Sequence, residues 1–453
     1  MKMIKTIKTI ILILIVMWAN QVLIFSEDTL SLEESIKLAL ENNCKVKNST
    51  LEMKAARQEK KSAFTHYFPD VSASGMVFQA EKSIMEIHTE GGNLPVYNGN
   101  PVTIPTATQY AYLPDGITGI LKKGTIGYIN AVQPVFAGGR IINGNKLASL
   151  GVDASKFNDE LTRNEVILKT EEHYWQIVSL EEKFKTIEKF EEMLNSLLKQ
   201  VEDAYEAGVV MKNDVLKVKL KQSEIRLNKS KLKNGISLAR MAFNQHLGLP
   251  LDSAPVLKFD PVVIESPVSL YVDHNEALKI RDEYKLLELS VRAEKLQTRM
   301  KRGEYLPQLG IGAALLYLKL DENAGKSIGT VYGSVSVPIS DWWGGAHQLK
   351  IKNLKETIAE NNLKDKSELL LLQMDKARRD LDDAYTQYQL SEESKTQAIE
   401  NMKVNEDGYN NGLINVSDLL EAQALLRQSE DQVTDATTNF LLKKTEYFQA
   451  TGR

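Results

Sequence analysis

The sequence predicts a mainly α fold with a small β part, built as a twofold internal repeat. Three observations predict it. A turn motif occurs twice, at Tyr205–Leu216 and Tyr409–Leu420, with tyrosine, glycine, aspartate and the final leucine at the same places in both. Each copy lies within a long proline-free segment whose apolar residues step by three and four, the period of a coiled coil. Ahead of each segment come stretches of alternating character that read as strands.

The N-terminus reads as a secretory signal over residues 1–26. Lys2, Lys5 and Lys8 precede the apolar run Ile10–Trp18, and short residues lead to a cut after Ser26. A membrane anchor would need about 20 apolar residues, more than this run supplies. Loss of the three lysines takes the formal charge from −4 to about −7, which argues against nucleic acid as the main partner. With 43% apolar and 26% charged residues, the chain is not a helical membrane protein. Cys44 is the only cysteine, so there is no disulfide within the chain and no zinc–cysteine cluster.

The first repeat is expected over residues 27–249. A helix begins around Ser35–Ala39 and closes at Tyr67-Phe68-Pro69. A strand pair follows, within residues 71–136, with strands at 71–80 and 125–136. Between them lies a long loop, 81–124, rich in Pro, Gly, Asn and Thr. A helical hairpin comes next, with its tip at residues 208–214. A continuous helix from Gly139 to Gly208 would be about 100 Å long at about 1.5 Å per residue. Ile187, Phe190, Leu194, Leu197, Val201 and Ala204 form its seam. Residues 250–270 carry Pro250, Pro255, Pro261 and Pro267 and read as an extended linker across the outside.

The second repeat is expected over residues 271–453. Ala277–Ile280 matches the first helix start, and Tyr305-Leu306-Pro307 matches its close. Its strand pair falls within residues 309–339, with a short loop at 321–329, and its hairpin has a tip at 412–418. Pro134 matches Pro338, Gly138-Gly139 matches Gly344-Gly345, and Gly248 matches Gly452. Leu419, Ala422, Leu426, Ser429, Val433, Ala436 and Phe440 form the second seam.

At each tip a glycine, Gly208 or Gly412, can take the left-handed conformation that ends a helix. Asn213 and Asp214, and Ser417 and Asp418, can then cap the helix that follows. Strands of about ten residues match a tilted bilayer crossing. Four strands cannot close a barrel, and an open sheet edge cannot sit in lipid. Such a sheet closes with other copies of the chain or lies outside a membrane. Tyr67, Phe68, Tyr305, Trp342 and Trp343 sit at the helix-proximal ends of the strands, where they fit a membrane-interface girdle. Aromatics buried at a domain junction would occupy the same places.

The repeat, the prolines beside the strand pairs and the spacing Tyr-x-x-Gly-x-x-x-x-x-Asp-(Val/Leu)-Leu in each half resemble the TolC-like outer-membrane efflux proteins. That resemblance implies a homotrimer in which each subunit gives four strands to one twelve-stranded transmembrane β-barrel. It implies a coiled-coil α-helical barrel across the periplasm of a Gram-negative bacterium. The duct would meet a periplasmic adaptor (membrane fusion) protein and an inner-membrane pump, as the exit channel of a tripartite efflux or type I secretion system. Gly208, Val209 and Val210, with Gly412, Leu413 and Ile414, match the adaptor-facing turns. Asp418 and Glu421 match an acidic ring at the entrance. They also suit a helix cap with its capping box, and both roles fit the sequence. Some members carry an arginine where this chain has Ile414, and Ile414 cannot form that ion pair.

Catalysis finds no support. His66, His88, His173, His246, His274 and His347 share no metal spacing, and there is no phosphate loop or nucleophile elbow. No cofactor and no metal are expected. An exported coiled-coil scaffold without a conduit would keep the signal and the heptads but leave the strand pairs unexplained.

Overall fold

A computed structural model describes residues 29–96, 109–120, 122–259, 263–320 and 324–453. The expected signal, residues 1–26, lies outside the described residues, as do 97–108 of the first loop and 260–262 of the linker. The chain is mainly helical with a smaller set of strands. Its helices are α1 (Leu32–Asn42), α2 (Cys44–Thr65), α3 (Arg140–Glu206) and α4 (Lys212–Leu247) in the first part. They continue with α5 (His274–Ile280), α6 (Asp282–Glu304), α7 (Trp342–Asn410) and α8 (Val416–Ala450). Two compact units form: one from the described residues up to Ala55 with Asp153–Leu289 and Asn361–Arg453, the other from Ala56–Val152 and Ser290–Glu360.

In the first unit α1 opens with a capping box. Ser31 Oγ accepts the Glu34 N–H at 3.3 Å, and Glu34 Oε2 accepts the Ser31 N–H at 2.9 Å. The helix expected to run on to Pro69 stops at Asn43, which is extended at φ −61 and ψ 133. The Asn43 side chain restarts it by accepting the Lys45 N–H at 2.8 Å. Arg281 makes the same interruption between α5 and α6, at φ −64 and ψ 136. Its guanidinium is buried and is held by Glu283 at 2.5 Å and Gln373 at 3.3 Å.

The core of this unit holds Tyr174, Ile177, Phe243, Leu247 and Tyr447, all fully buried. Ile187, Phe190, Leu194, Leu197 and Val201 of α3 are buried, with Ile225 of α4 packed among the first three. On α8, Leu419, Ala422, Ser429, Ala436 and Phe440 are buried at the same helical period. The linker is tied down more than its composition predicts. Leu257 and Pro267 are buried, and the Leu30 N–H donates to Val256 O at 2.7 Å in a short parallel bridge.

In the second unit β1 (Asp70–Gln79), β6 (Lys123–Ala137), β7 (Gln308–Leu320) and β8 (Lys326–Ser336) form one antiparallel sheet in the order β1-β6-β7-β8. The expected loop 81–124 is not irregular throughout. It holds β2 (Met85–Thr89) paired with β5 (Gly116–Ile120), and β3 (Gly92–Pro95) paired with β4 (Tyr110–Leu113). Its Pro and Gly content masked runs of only four and five residues, too short to show a period. The two glycine pairs also differ. Gly138 and Gly139 have positive φ between β6 and α3, whereas Gly344 and Gly345 lie inside the first turn of α7.

Candidate functional site

The two tips close by the same hydrogen bonds. At the first, the Gly208 N–H donates to Tyr205 O at 3.0 Å and the Val209 N–H to Ala204 O at 2.9 Å. At the second, the Gly412 N–H donates to Tyr409 O at 3.0 Å and the Leu413 N–H to Gly408 O at 2.8 Å. Both glycines have φ 71, where a Cβ would collide with the adjacent carbonyl. This is the Schellman closure, which satisfies carbonyls that the ending helix leaves free.

The caps are not the residues expected. Asn415 is the N-cap of α8, and its Oδ1 accepts the N–H groups of Ser417 at 2.8 Å and Asp418 at 3.2 Å. Met211 holds the equivalent place before α4 and offers no side-chain acceptor. Asn213, Asp214 and Ser417 are therefore inside their helices, because the cap falls three residues after the glycine rather than five or six. Asp214 and Ser417 serve another contact. Lys217 Nζ donates to Ser417 Oγ at 2.8 Å and to Asp214 Oδ1 at 3.3 Å, tying the first turns of α4 and α8 together.

Beneath the tips lies one apolar cluster, which includes Val201, Val215, Met402, Val416 and Leu419. Val210 and Tyr409 pack against it. Ile414 is half-buried beside Gly408. Val209, Met211 and Leu413 instead stand in solvent, each more than three-quarters exposed. Asp418 and Glu421 are exposed and three residues apart on α8, hence on one face of that helix.

Further along α8, Gln423 Oε1, Arg427 Nε and Asp431 Oδ1 are buried without a partner. Burial pushes the Asp431 carboxyl up, against the nearby Arg427 charge. The spacing by fours was readable, but a polar face gave no sign that it is buried. Sequence reading also missed His173 and His246, whose rings lie 5.4 Å apart. His246 Nε2 faces Val166 O at 3.2 Å and Thr170 Oγ1 at 3.1 Å, and Nδ1 faces the Asn43 amide nitrogen at 3.4 Å. A neutral ring with its proton on Nε2 satisfies all three neighbours. Burial lowers the pKa of both histidines.

The sheet has two unlike faces. Val71, Val77, Ile129, Ile311, Leu315, Val331 and Val335 share one face by register, and all are exposed. Met76, Phe78, Leu316 and Leu318 share the other toward its far end, and Asp70, Ser72, Ser74, Asn130, Tyr332 and Ser334 share it at its helix-proximal end. There Tyr332 Oη donates to Asn130 Oδ1 at 2.8 Å, passing over Gly312 of the strand between them. A Cβ on Gly312 would lie 2.4 Å from the Tyr332 ring. Tyr67, Phe68, Trp342 and Trp343 are exposed and Tyr305 is half-buried, so none is a core aromatic of the unit. Trp342 Nε1 donates to Tyr305 O at 2.9 Å.

Among the described residues no helix is long and apolar enough to cross a membrane, and no group of three or more His, Cys, Asp or Glu could hold a metal ion.

Residues 275–453 match the family described as outer membrane efflux protein. No curated protein matches the sequence. Among solved structures, the outer membrane protein VceC from Vibrio cholerae is 14% identical, with 93% of this chain and 96% of that chain covered and a TM-score of 0.73. The Campylobacter jejuni CmeC outer membrane channel is 14% identical over 93% of this chain and 85% of that chain, with a TM-score of 0.74. The Neisseria gonorrhoeae MtrE outer membrane channel, solved in an open state, gives 14%, 93%, 88% and 0.71. At such identities the likeness establishes the fold, and it covers nearly the whole chain. Residues 275–453 thus match the outer membrane efflux protein family, and the chain as a whole shares the fold of these solved outer membrane channels.

Proposed function

We propose that the chain is the subunit of a homotrimeric outer-membrane exit duct. It would serve a tripartite efflux or type I secretion system and pass small molecules or polypeptides across the periplasm and outer membrane. The observation that carries the reading is the four-stranded sheet. One face carries Val71, Val77, Ile129, Ile311, Leu315, Val331 and Val335, all exposed. The other carries Asp70, Ser72, Ser74, Asn130, Tyr332 and Ser334 at its helix-proximal end, with Met76, Phe78, Leu316 and Leu318 beyond them. Among the described residues the edge strands β1 and β8 have no outer partner. An apolar outer face and a polar inner face are what a lipid-embedded barrel around an aqueous lumen requires. Open edges cannot remain in lipid, so further copies must pair with them.

The same reading gives the tips their partner. Val209 and Leu413 are apolar residues in solvent at a helix end, which suits docking of a periplasmic adaptor protein that leads to an inner-membrane pump. Gly208, Val210, Gly412 and Ile414 shape those turns. Asp418 and Glu421, repeated in three copies, would ring the entrance with carboxylates. Tyr67, Phe68, Tyr305, Trp342 and Trp343 would mark the lipid interface. The chemistry is passage rather than catalysis. The test is mass measurement in mild detergent joined to conductance in a planar bilayer. Three copies and a stable pore are expected; a folded monomer in a bilayer would sink the reading.

A further inference from the structure

The helices of the first unit divide their charge unevenly. The 36 residues of α4 carry nine lysines and arginines against two acids. The last 31 residues of α7, from Asp380, carry eight acids against two lysines. Each helix has one buried stripe and one exposed stripe. On α4 the buried side is Val215, Val218, Gln222 and Ile225, and the exposed side holds Leu216, Leu220, Leu227, Leu238 and Met241. On α7, Met374, Leu381, Ala384 and Met402 are buried while Leu369, Leu372, Leu390 and Val404 are exposed. Apolar residues at heptad spacing on an exposed face are a coiled-coil seam without its second helix.

The charges beside these seams repeat by seven. Lys219, Arg226 and Lys233 are exposed along α4, and Glu393, Glu400 and Asp407 are exposed along α7. Helix α4 runs away from the tips and α7 runs into them. On two antiparallel helices, residues at one level have numbers with a constant sum. Lys219 with Asp407, Arg226 with Glu400 and Lys233 with Glu393 each sum to 626. The apolar pairs fall in the same register: Leu220 with Val404 sums to 624 and Leu238 with Leu390 to 628. The chain supplies its own gauge of level, because Tyr409 of α7 lies near enough to Asp214 of α4 to feel its charge, and these sum to 623. A rotation about an axis along the helices moves no residue up or down, so levels within one copy hold between copies.

We infer that α4 of one copy packs against α7 of a second copy, with Leu220 and Leu238 on Val404 and Leu390 and the basic row on the acidic row. The partner is this same chain, and the inference rests on the trimeric reading above. Within one copy these charges are only lightly engaged. Lys219 meets Glu202 at 2.8 Å in an exposed pair, Arg226 donates to Gln222 at 3.1 Å, and Glu393 accepts from Gln397 at 3.2 Å. Exposed pairs of this kind are weak and leave a lysine free to be shared.

The test uses the full-length protein in detergent, with Cys44→Ser as background. Leu220→Cys with Val404→Cys should form a disulfide between copies, giving covalent dimers and trimers on denaturing gels. Leu220→Cys with Leu390→Cys, fourteen residues out of register and about 20 Å away, should form none. Arg226→Glu and Glu400→Arg should each lower the temperature at which the oligomer dissociates, and the two together should restore it. Three copies by mass with neither cross-link nor rescue would overturn the seam and leave the trimer standing. A disulfide confined to one chain would also overturn it. A monomer by mass would remove the trimer and the seam together.

Discussion

Asn415→Ala should loosen the second tip and Ser417→Ala should not act as loss of a cap. Asn415 Oδ1 accepts two backbone N–H groups, from Ser417 at 2.8 Å and Asp418 at 3.2 Å. Alanine leaves both without a protein acceptor at the start of a 35-residue helix. Removal of such a cap costs about 1 kcal/mol of helix stability. The loss stays local, because Val416 and Leu419 still anchor the turn in the cluster below. Local opening is what amide hydrogen exchange reads. Exchange at Ser417 and Asp418 should rise about fivefold, the equilibrium factor for about 1 kcal/mol. The first tip supplies the converse. Met211 holds the cap position without an acceptor, so Met211→Asn should slow exchange at Asn213 and Asp214 by a similar factor. Equal exchange in Asn415→Ala and the parent, or a fivefold rise in Ser417→Ala instead, would refute the assignment of the cap.

Asp418→Ala with Glu421→Ala should relieve block of the pore by multivalent cations added on the periplasmic side, and in the parent that block should weaken as salt rises. Asn415 keeps the helix capped in this variant, so unaltered block in single-channel records would leave the two acids without a role at the entrance. Acidification should destabilise the histidine pair. Burial, aided by Lys169 and Lys45 and opposed by the Val166 carbonyl and Glu165, holds the His246 pKa below 6.5. The unfolded chain then takes up the proton first, so stability falls as pH drops below about 6.5. His173, lowered mainly by burial, adds to the same slope. His173→Gln with His246→Gln should flatten the pH dependence of thermal unfolding, and an unchanged slope would place the sensitivity elsewhere.

The tips were legible because two signals coincide at each of them. A glycine interrupts a long helical period, and the second copy repeats the interruption at the same spacing. The caps were misread because Asp, Asn and Ser are abundant just beyond both glycines. Type alone does not say which of them has extended backbone; the Schellman closure does, by placing that residue three after the glycine. The breaks at Asn43 and Arg281 had no local signal, since neither involves glycine or proline. They are held from far along the chain: the Asn43 amide donates to His246 O at 2.9 Å, and Arg281 reaches Gln373. Likewise His173 and His246 are far apart in sequence and meet only because α3 and α4 fold back on one another. The ladders β2–β5 and β3–β4 lay in a composition that reads as loop, where four or five residues cannot establish a period of two.

Spacing by seven is visible in a string of letters; the register between two helices is not. Lys219, Arg226 and Lys233 become a complement to Glu393, Glu400 and Asp407 only once α4 and α7 are known to run oppositely from a common level. Among the described residues neither helix buries the stripe between those charges within one chain, and neither β1 nor β8 finds a neighbour for its outer edge. These are different deficits. Unpaired strand edges lack hydrogen-bond partners, while the helix stripes lack apolar cover and counter-charge. A scaffold of single chains in water could tolerate the second, but not a sheet face with seven exposed branched apolar side chains together with the first. Copies of the same chain arranged about one axis, as proposed above, would remedy both at once, because each would supply a β1 edge to a β8 edge and an α4 stripe to an α7 stripe. A head-to-tail closure of this kind needs complementary surfaces rather than self-complementary ones, and a basic α4 with an acidic α7 provides that asymmetry.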